Sequence, residues 1–427
     1  MAGSALTTWH FLLLYAAMLV AAAGNTALQS VMPAIGREIG IADFWVTVSY
    51  TWSAVLWVAL APYWARASDK HGRKALTLVG VGGFIAAMTL CGLALLAGLK
   101  GMLAGGLTFG TFAICRALYG SFGSATPSAT QAYLASRTRR TARVEALSAL
   151  SSSFSLGTIV GPALAPLFVL PIVGLAGPLF VFAAIAIVVF IAIVFGLPDD
   201  SKPRHGPRSG HGAAMSYPSL ASAPTGASVI AATRPKGKGL KWSDPRIRGW
   251  ITAGVVAGHA QAATLACIGF FVIDRLNLAP HGSEEEISIV MMAGAAATLA
   301  AQWGVIPRLR LSPKALILWG ALIAAGGLVV TMSATDLYAI VIGFGVASFG
   351  FGFTRPGFTG GASLAVPLSE QGSVAGVITA ANGSAYVLAP GVGMLLYAQD
   401  PHWPFIAGAA LLLGLSLWGR GRLAPAV

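Results

Sequence analysis

Two arginines stand inside long apolar runs, Arg116 in CRALYGSFGSA and Arg355 in TRPGFTGGASL, each followed by glycines. A guanidinium far from the ends of such a run costs about 3 kcal/mol or more on insertion scales, so it should face the protein interior or a water-filled cavity. There it can hold a substrate or take part in proton coupling; the plainer reading is a structural arginine capped by backbone carbonyls, and Pro356 would free a carbonyl beside Arg355. Asn25, His259, Gln261, Gln302 and Asn382 are polar residues in otherwise apolar runs and complete the candidate substrate and coupling set. Each serves equally well as an interhelical hydrogen bond worth about 0.6 kcal/mol; converging on one cavity they would supply the few polar contacts a pocket needs. All 14 acidic residues lie near the ends of apolar runs or between them. An arginine-lined cavity without a counter-acid suits anionic or neutral amphipathic molecules better than cations. Should protons be the coupling ion, Asp274 and Glu38 are the candidate carriers, with Glu145 and His259 as further titratable groups.

These residues need elements that hold them. The chain has 427 residues, 56% of them hydrophobic, 53 glycines and a mean hydropathy of +0.76. A soluble domain that apolar could not cover itself with polar surface, so the chain is a polytopic membrane protein. A hydrocarbon layer about 30 Å thick takes roughly 20 apolar residues per helix. Runs of that length recur at 8–33, 44–65, 75–97, 107–134, 143–169, 176–196, 248–273, 286–306, 314–333, 337–365, 372–398 and 403–419. They predict an all-α membrane protein of 12 transmembrane helices; a β-barrel would show short alternating segments instead. With the N-terminus cytoplasmic, 22 Lys and Arg fall in inner connections against three, Arg37, Lys100 and Arg275, in outer ones. That asymmetry places both termini in the cytoplasm and accounts for the net charge of +13 without a nucleic acid. The first run lacks a basic leader and a small-residue cleavage site, so it reads as a helix and not a removed signal peptide. Cys91, Cys115 and Cys267 have no paired spacing and read as packing residues.

Residues 198–247 break the pattern, being rich in Pro, Gly, Ser and basic residues. They read as a cytoplasmic linker between an N-terminal six-helix bundle, 1–197, and a C-terminal one, 248–427. Weak echoes suggest that the halves are repeats: an Arg followed by glycines in helices 4 and 10, and Pro162 and Pro390 at matching places in helices 5 and 11.

Between the second and third runs lies ARASDKHGRKALTL, residues 65–78, the densest cluster of charge beside the bilayer. Gly72 supplies a tight turn, Arg73 and Lys74 hold it at an anionic surface, and Asp69 can pair with Arg73 or face the positive end of a helix from the other half. A contact of that kind forms in one access state and breaks in the other, which makes a gate; the plainer reading is a loop-stabilising ion pair worth about 1 kcal/mol. Asp69, Gly72, Arg73 and Lys74 match G-x-x-x-D-x-x-G-R-[RK] except at its first glycine, where Ala65 stands. With Arg116-x-x-x-Gly120 and Gly157-x-x-x-Gly161-Pro162, the chain resembles the major facilitator superfamily of secondary transporters. The helix 5 stretch is similar to the antiporter motif G-x-x-x-G-P-x-x-G-G, with Ala165 and Pro166 in place of its last glycines. The resemblance implies two pseudo-symmetric bundles rocking about a midplane cavity, a gating role for Asp69 and its loop, and a bend at Gly157, Gly161 and Pro162; Glu145, where the fifth run begins, joins this gating set. It points to the twelve-helix drug and metabolite exporters.

The sequence lacks H-E-x-x-H, G-x-S-x-G, G-x-x-x-x-G-K-[ST] and paired intramembrane aspartates, so it is read as a non-enzyme without metal or cofactor. The expectation is a monomeric transporter of the inner (cytoplasmic) membrane that exports small amphipathic molecules by alternating access, with protons as the candidate coupling ion and the lipid bilayer as its surroundings. The alternative is an importer or facilitator of an anionic or neutral metabolite on the same fold.

Overall fold

The computed structural model describes residues 7–138, 143–199, 240–309, 311–367 and 370–423. Fourteen α-helices cover these residues: α1 Thr8–Glu38, α2 Asp43–His71, α3 Arg73–Leu99, α4 Gly105–Gly123, α5 Ala125–Arg137, α6 Arg143–Leu164, α7 Gly177–Gly196, α8 Arg248–Leu276, α9 Glu284–Leu299, α10 Ile306–Leu309, α11 Pro313–Ser333, α12 Leu337–Leu364, α13 Gln371–Tyr397 and α14 Trp403–Arg422. Nine of the spans among the described residues are long and apolar enough to cross a membrane. The α4–α5 pair, separated at Ser124 alone, α6 and α13 complete twelve rods. Most of the linker predicted over 198–247 lies outside the described residues.

Several helices outrun their apolar stretches. α2 has 29 residues, about 44 Å at 1.5 Å per residue, so it carries the polar sequence up to His71 beyond the hydrocarbon layer. Gly72 alone joins it to α3, at φ +92°, a conformation glycine adopts without strain. The continuous rod expected over 107–134 is divided at Ser124, and the one expected over 286–306 runs through a π turn, Ala300–Val305, into α10. Pro307 explains the second departure: it has no N–H and its ring crowds the carbonyl of Trp303, so the helix widens there. The rod expected over 143–169 stops at Leu164, two residues before Pro166 opens a short 3-10 turn.

Packing repeats between the halves. α1 packs on α6 and α7, α3 on α4 and α7, and α2 on α4; in the second half α8 packs on α13 and α14, α11 on α12 and α14, and α9 on α12. The halves meet along α2–α13 and α6–α9, themselves an equivalent pair, with α1 touching α8 and α9. Glycine sets a close seam within the first half. A Cβ on Gly161 would sit 2.2 Å from the Ala23 carbonyl oxygen, and one on Gly157 2.5 Å from that of Leu19. α6 therefore lies backbone against backbone on α1 of its own half, and the Thr26 hydroxyl donates across the seam to the Gly157 carbonyl at 3.4 Å.

Candidate functional site

A cavity of about 680 Å³ opens between the halves, walled by Gln29, Met32 and Pro33 of α1, Val46 to Ala54 of α2, Ala262 to Phe270 of α8, Met291 of α9, and Tyr386 and Pro390 of α13. Its wall is apolar apart from Gln29, Thr47, Tyr50 and Tyr386. Such a lining gains free energy from apolar surface of almost any shape and offers few hydrogen bonds to fix orientation. A second cavity, about 290 Å³, lies between α8, α12 and α13 and is lined by Gln261, Thr354, Arg355, Phe358, Asn382 and Tyr386 among others. Tyr386 belongs to both.

The predicted residues divide into two groups. Arg116 and Asn25 meet: the fully buried guanidinium donates to the Asn25 Oδ1 and stacks over Tyr119 at 4.7 Å and Tyr50 at 5.1 Å. Arg116 therefore reaches the wall of the large cavity through the Tyr50 ring. Arg355, Gln261 and Asn382 meet in the smaller cavity. The two arginines occupy equivalent rods of the halves, α4 and α12. His259 and Gln302 line neither cavity; His259 Nδ1 is hydrogen-bonded to the Val255 carbonyl of its own helix at 2.8 Å, and Gln302 sits in the π turn.

Of the gating residues, Lys74 donates from Nζ to the Val194 carbonyl at 2.7 Å, closing the last turn of α7. Arg73 begins α3, with its carbonyl accepting from the Thr77 hydroxyl at 2.9 Å. The side chains of Asp69 and Glu145 lie outside the described residues. Gly157 and Gly161 bring α6 onto α1 as described above, within one half, and Pro162 lies inside α6.

At the end of the bundle that carries the α1–α2 and α8–α9 turns, a charged cluster spans the halves. Arg37 donates to Asp43 of its own half, from Nη2 to Oδ2 at 2.7 Å and from Nε to Oδ1 at 3.2 Å. The same guanidinium grips both oxygens of Asp274 on α8, the Nη2–Oδ2 bond being 2.9 Å. Tyr397 of α13 donates to Asp274 at 2.6 Å. The next residue, Glu38, lies 4.0 Å from His281 across the same divide. Arg37 also stacks at 5.4 Å over Phe270, which lines the large cavity, so the cluster roofs it. Asp274 and Glu38 were legible as lone acids; Arg37, Asp43 and Tyr397, and the cavity residues Gln29 and Tyr50, were missed. Opposite charges at the ends of helices 1 and 7, on one side of the predicted topology, were the available signal.

Where the chain enters α8, Arg246 bridges Asp244 at 2.8 Å and Glu370 at 2.9 Å, and the guanidinium holds the Asp244 carboxyl below the usual range. Asp400, before α14, accepts from the backbone N–H and the ring of His402, both at 2.7 Å, with the same effect on its carboxyl.

The Major Facilitator Superfamily model matches residues 14–390. The multidrug resistance protein MdtG of Proteus mirabilis is 26% identical over 186 residues, 42% of this chain and 43% of that protein, so the alignment spans less than half of the relative's length. Two solved structures share the fold. The human organic anion transporter MFSD10 (TETRAN) superposes with a TM-score of 0.61 at 16% identity, over 96% of this chain and 99% of that one. The nucleoside transporter NupG superposes with a TM-score of 0.68 at 10% identity, over 97% and 100%. Twelve rods in two repeated halves around a shared cavity, matched by the family model over most of its length, place this chain in the major facilitator superfamily of membrane transporters.

Proposed function

We propose that the protein exports small amphipathic molecules across the cytoplasmic membrane by alternating access, with both termini in the cytoplasm. The observation that carries this reading is an apolar cavity between the halves roofed by a charged cluster that joins them, Arg37 to Asp274. Charge asymmetry supports the orientation and makes the roofed end the outer one. A ligand entering from the cytoplasm would then meet the cavity with the outer route shut, and breaking the cluster would let the halves rock and release it. The name of the P. mirabilis relative, a multidrug resistance protein, favours export.

Proton coupling follows the same chemistry. A proton taken by Asp274 removes the charge that grips Arg37, so the outer route opens only when a proton arrives there; Glu38 beside His281 is the second carrier. The test is flux in proteoliposomes of known protein orientation, loaded with a fluorescent amphiphile, under an imposed pH gradient. Export in this reading is inhibited by collapse of the gradient, and Asp274→Asn uncouples it. Flux only in the opposite direction refutes export; flux indifferent to the gradient refutes coupling.

A further inference from the structure

We propose that the two cavities form one bipartite site for amphiphilic anions, the apolar body lying in the large cavity and the anionic head in the smaller one, on Arg355, Gln261 and Asn382. This rests on the transport reading above and names its substrate class.

The cavities are stacked along one helix. α8 lines the smaller with Gly254, Ala257, Gly258 and Gln261 and the larger with Ala262, Leu265, Ala266, Ile268, Gly269 and Phe270. At 1.5 Å per residue the mean positions of the two lining sets lie about 14 Å apart along α8. Tyr386 stands at the junction with its ring on both walls. The division of chemistry is sharp: among the described lining residues Arg355 is the one charged side chain, and it lies in the smaller cavity with two amides, whereas the larger offers Gln29, Thr47 and tyrosines. A planar guanidinium binds carboxylate, sulfonate or phosphate through paired N–H groups, and a carboxamide N–H can complete the cradle.

Small residues on α8 let α12 and α13 pack closely around the head site. A Cβ on Gly254 would fall 2.5 Å from the Phe358 ring and one on Gly258 3.3 Å from Ala385, so α8 presents bare backbone toward α12 and α13. Arg355 is 7% exposed, held where a cationic head would meet it in a low-dielectric pocket and be repelled. The counterpart in the first half differs. Arg116 is fully buried against Asn25 and two tyrosine rings, outside both linings, so the site is asymmetric although the fold repeats.

The test uses three probes that differ only in the head: a naphthyl-hexanoate, the matching naphthyl-hexanol and the matching naphthyl-hexylammonium. Binding to the purified full chain in nanodiscs and flux in proteoliposomes are measured for each. The wild type should prefer the carboxylate over the alcohol by about tenfold, the scale of one charge-assisted pair, and the ammonium should be weakest. Arg355→Gln should erase the preference, the carboxylate and the alcohol then binding within about twofold of each other. Gln261→Glu, which places a carboxylate in the same cavity and offsets the charge of Arg355, should abolish it, and this variant carries the test should Arg355→Gln fail to fold. Equal affinities in the wild type, or a preference untouched by Gln261→Glu, overturn the head site while leaving the transport reading intact. If no probe binds or moves, the transport reading of the cavity falls, and the head site with it.

Discussion

Replacing Asp274 by Asn keeps the shape of the side chain and one oxygen acceptor but removes the charge that draws Arg37 across the divide. The remaining Arg37–Asp43 pair is internal to one half and biases neither arrangement, so the cost falls on the state in which the roof is closed. Hydrogen bonds to charged groups contribute about 1.5–3 kcal/mol, and fully exposed pairs about 0–1. The side chains of Arg37 and Asp274 are 19% and 38% exposed, which places the bridge between these limits, at about 1–2 kcal/mol after allowance for screening. A change of 1.4 kcal/mol moves a two-state population tenfold. Spin labels at Lys100→Cys and Tyr338→Cys, both exposed at the roofed end and in opposite halves, report the separation directly in a background lacking the half-buried Cys115. Asp274→Asn should increase the long-distance population by about tenfold, and Tyr397→Phe, which leaves Arg37–Asp274 in place, by less. The double variant Arg37→Gln/Asp274→Asn should open no further than Arg37→Gln alone. An unchanged distance distribution in Asp274→Asn, or strictly additive effects in the double variant, would refute the role assigned to the bridge.

Gly161→Val should destabilise the protein by about 3 kcal/mol or more through overpacking against the Ala23 carbonyl, whereas Gly110→Ala, inside a helix with open space around it, should be neutral or stabilise by up to about 1 kcal/mol; thermal unfolding in detergent measures both. Asn25→Leu should cost about 2 kcal/mol by removing an acceptor from the buried Arg116 guanidinium, and Arg116→Met/Asn25→Leu should cost at least about 1 kcal/mol less than the sum of the single variants; additivity would show that the two side chains are not coupled. The Asp400 carboxyl is held below its usual range, so whatever stability it contributes is present near neutral pH and disappears as acid protonates it in the folded protein. Asp400→Asn should therefore melt below the wild type at pH 7 and converge with it below about pH 4; divergence that grows in acid would reverse the sign.

The helical rods were legible because each is a long apolar run, and the repeat because Arg116 and Arg355 fall on equivalent rods. The break at Ser124 and the π turn at Ala300–Val305 were not, since apolar periodicity does not distinguish a bond to the fourth residue back from one to the fifth. Arg116 and Asn25 were each conspicuous as polar residues in apolar surroundings, yet nothing local says that they face one another. Arg37 and Asp274 are 237 positions apart, and each in isolation reads as a solvated helix end. The cavity wall escaped notice for the opposite reason: Met32, Ala266 and Met291 look like ordinary lipid-facing or core positions until the halves are assembled.

Pro33 of α1 presses its ring into the hollow left by Gly269 of α8, whose missing methyl would stand 2.6 Å from the proline Cγ. Knob and socket come from opposite halves and sit at the lip of the large cavity, just beneath the charged roof. A bearing of that kind tolerates tilting but not sliding, which gives any swing of the two bodies a fixed axle and makes residue 269 the place where a single added carbon would jam the machine ajar.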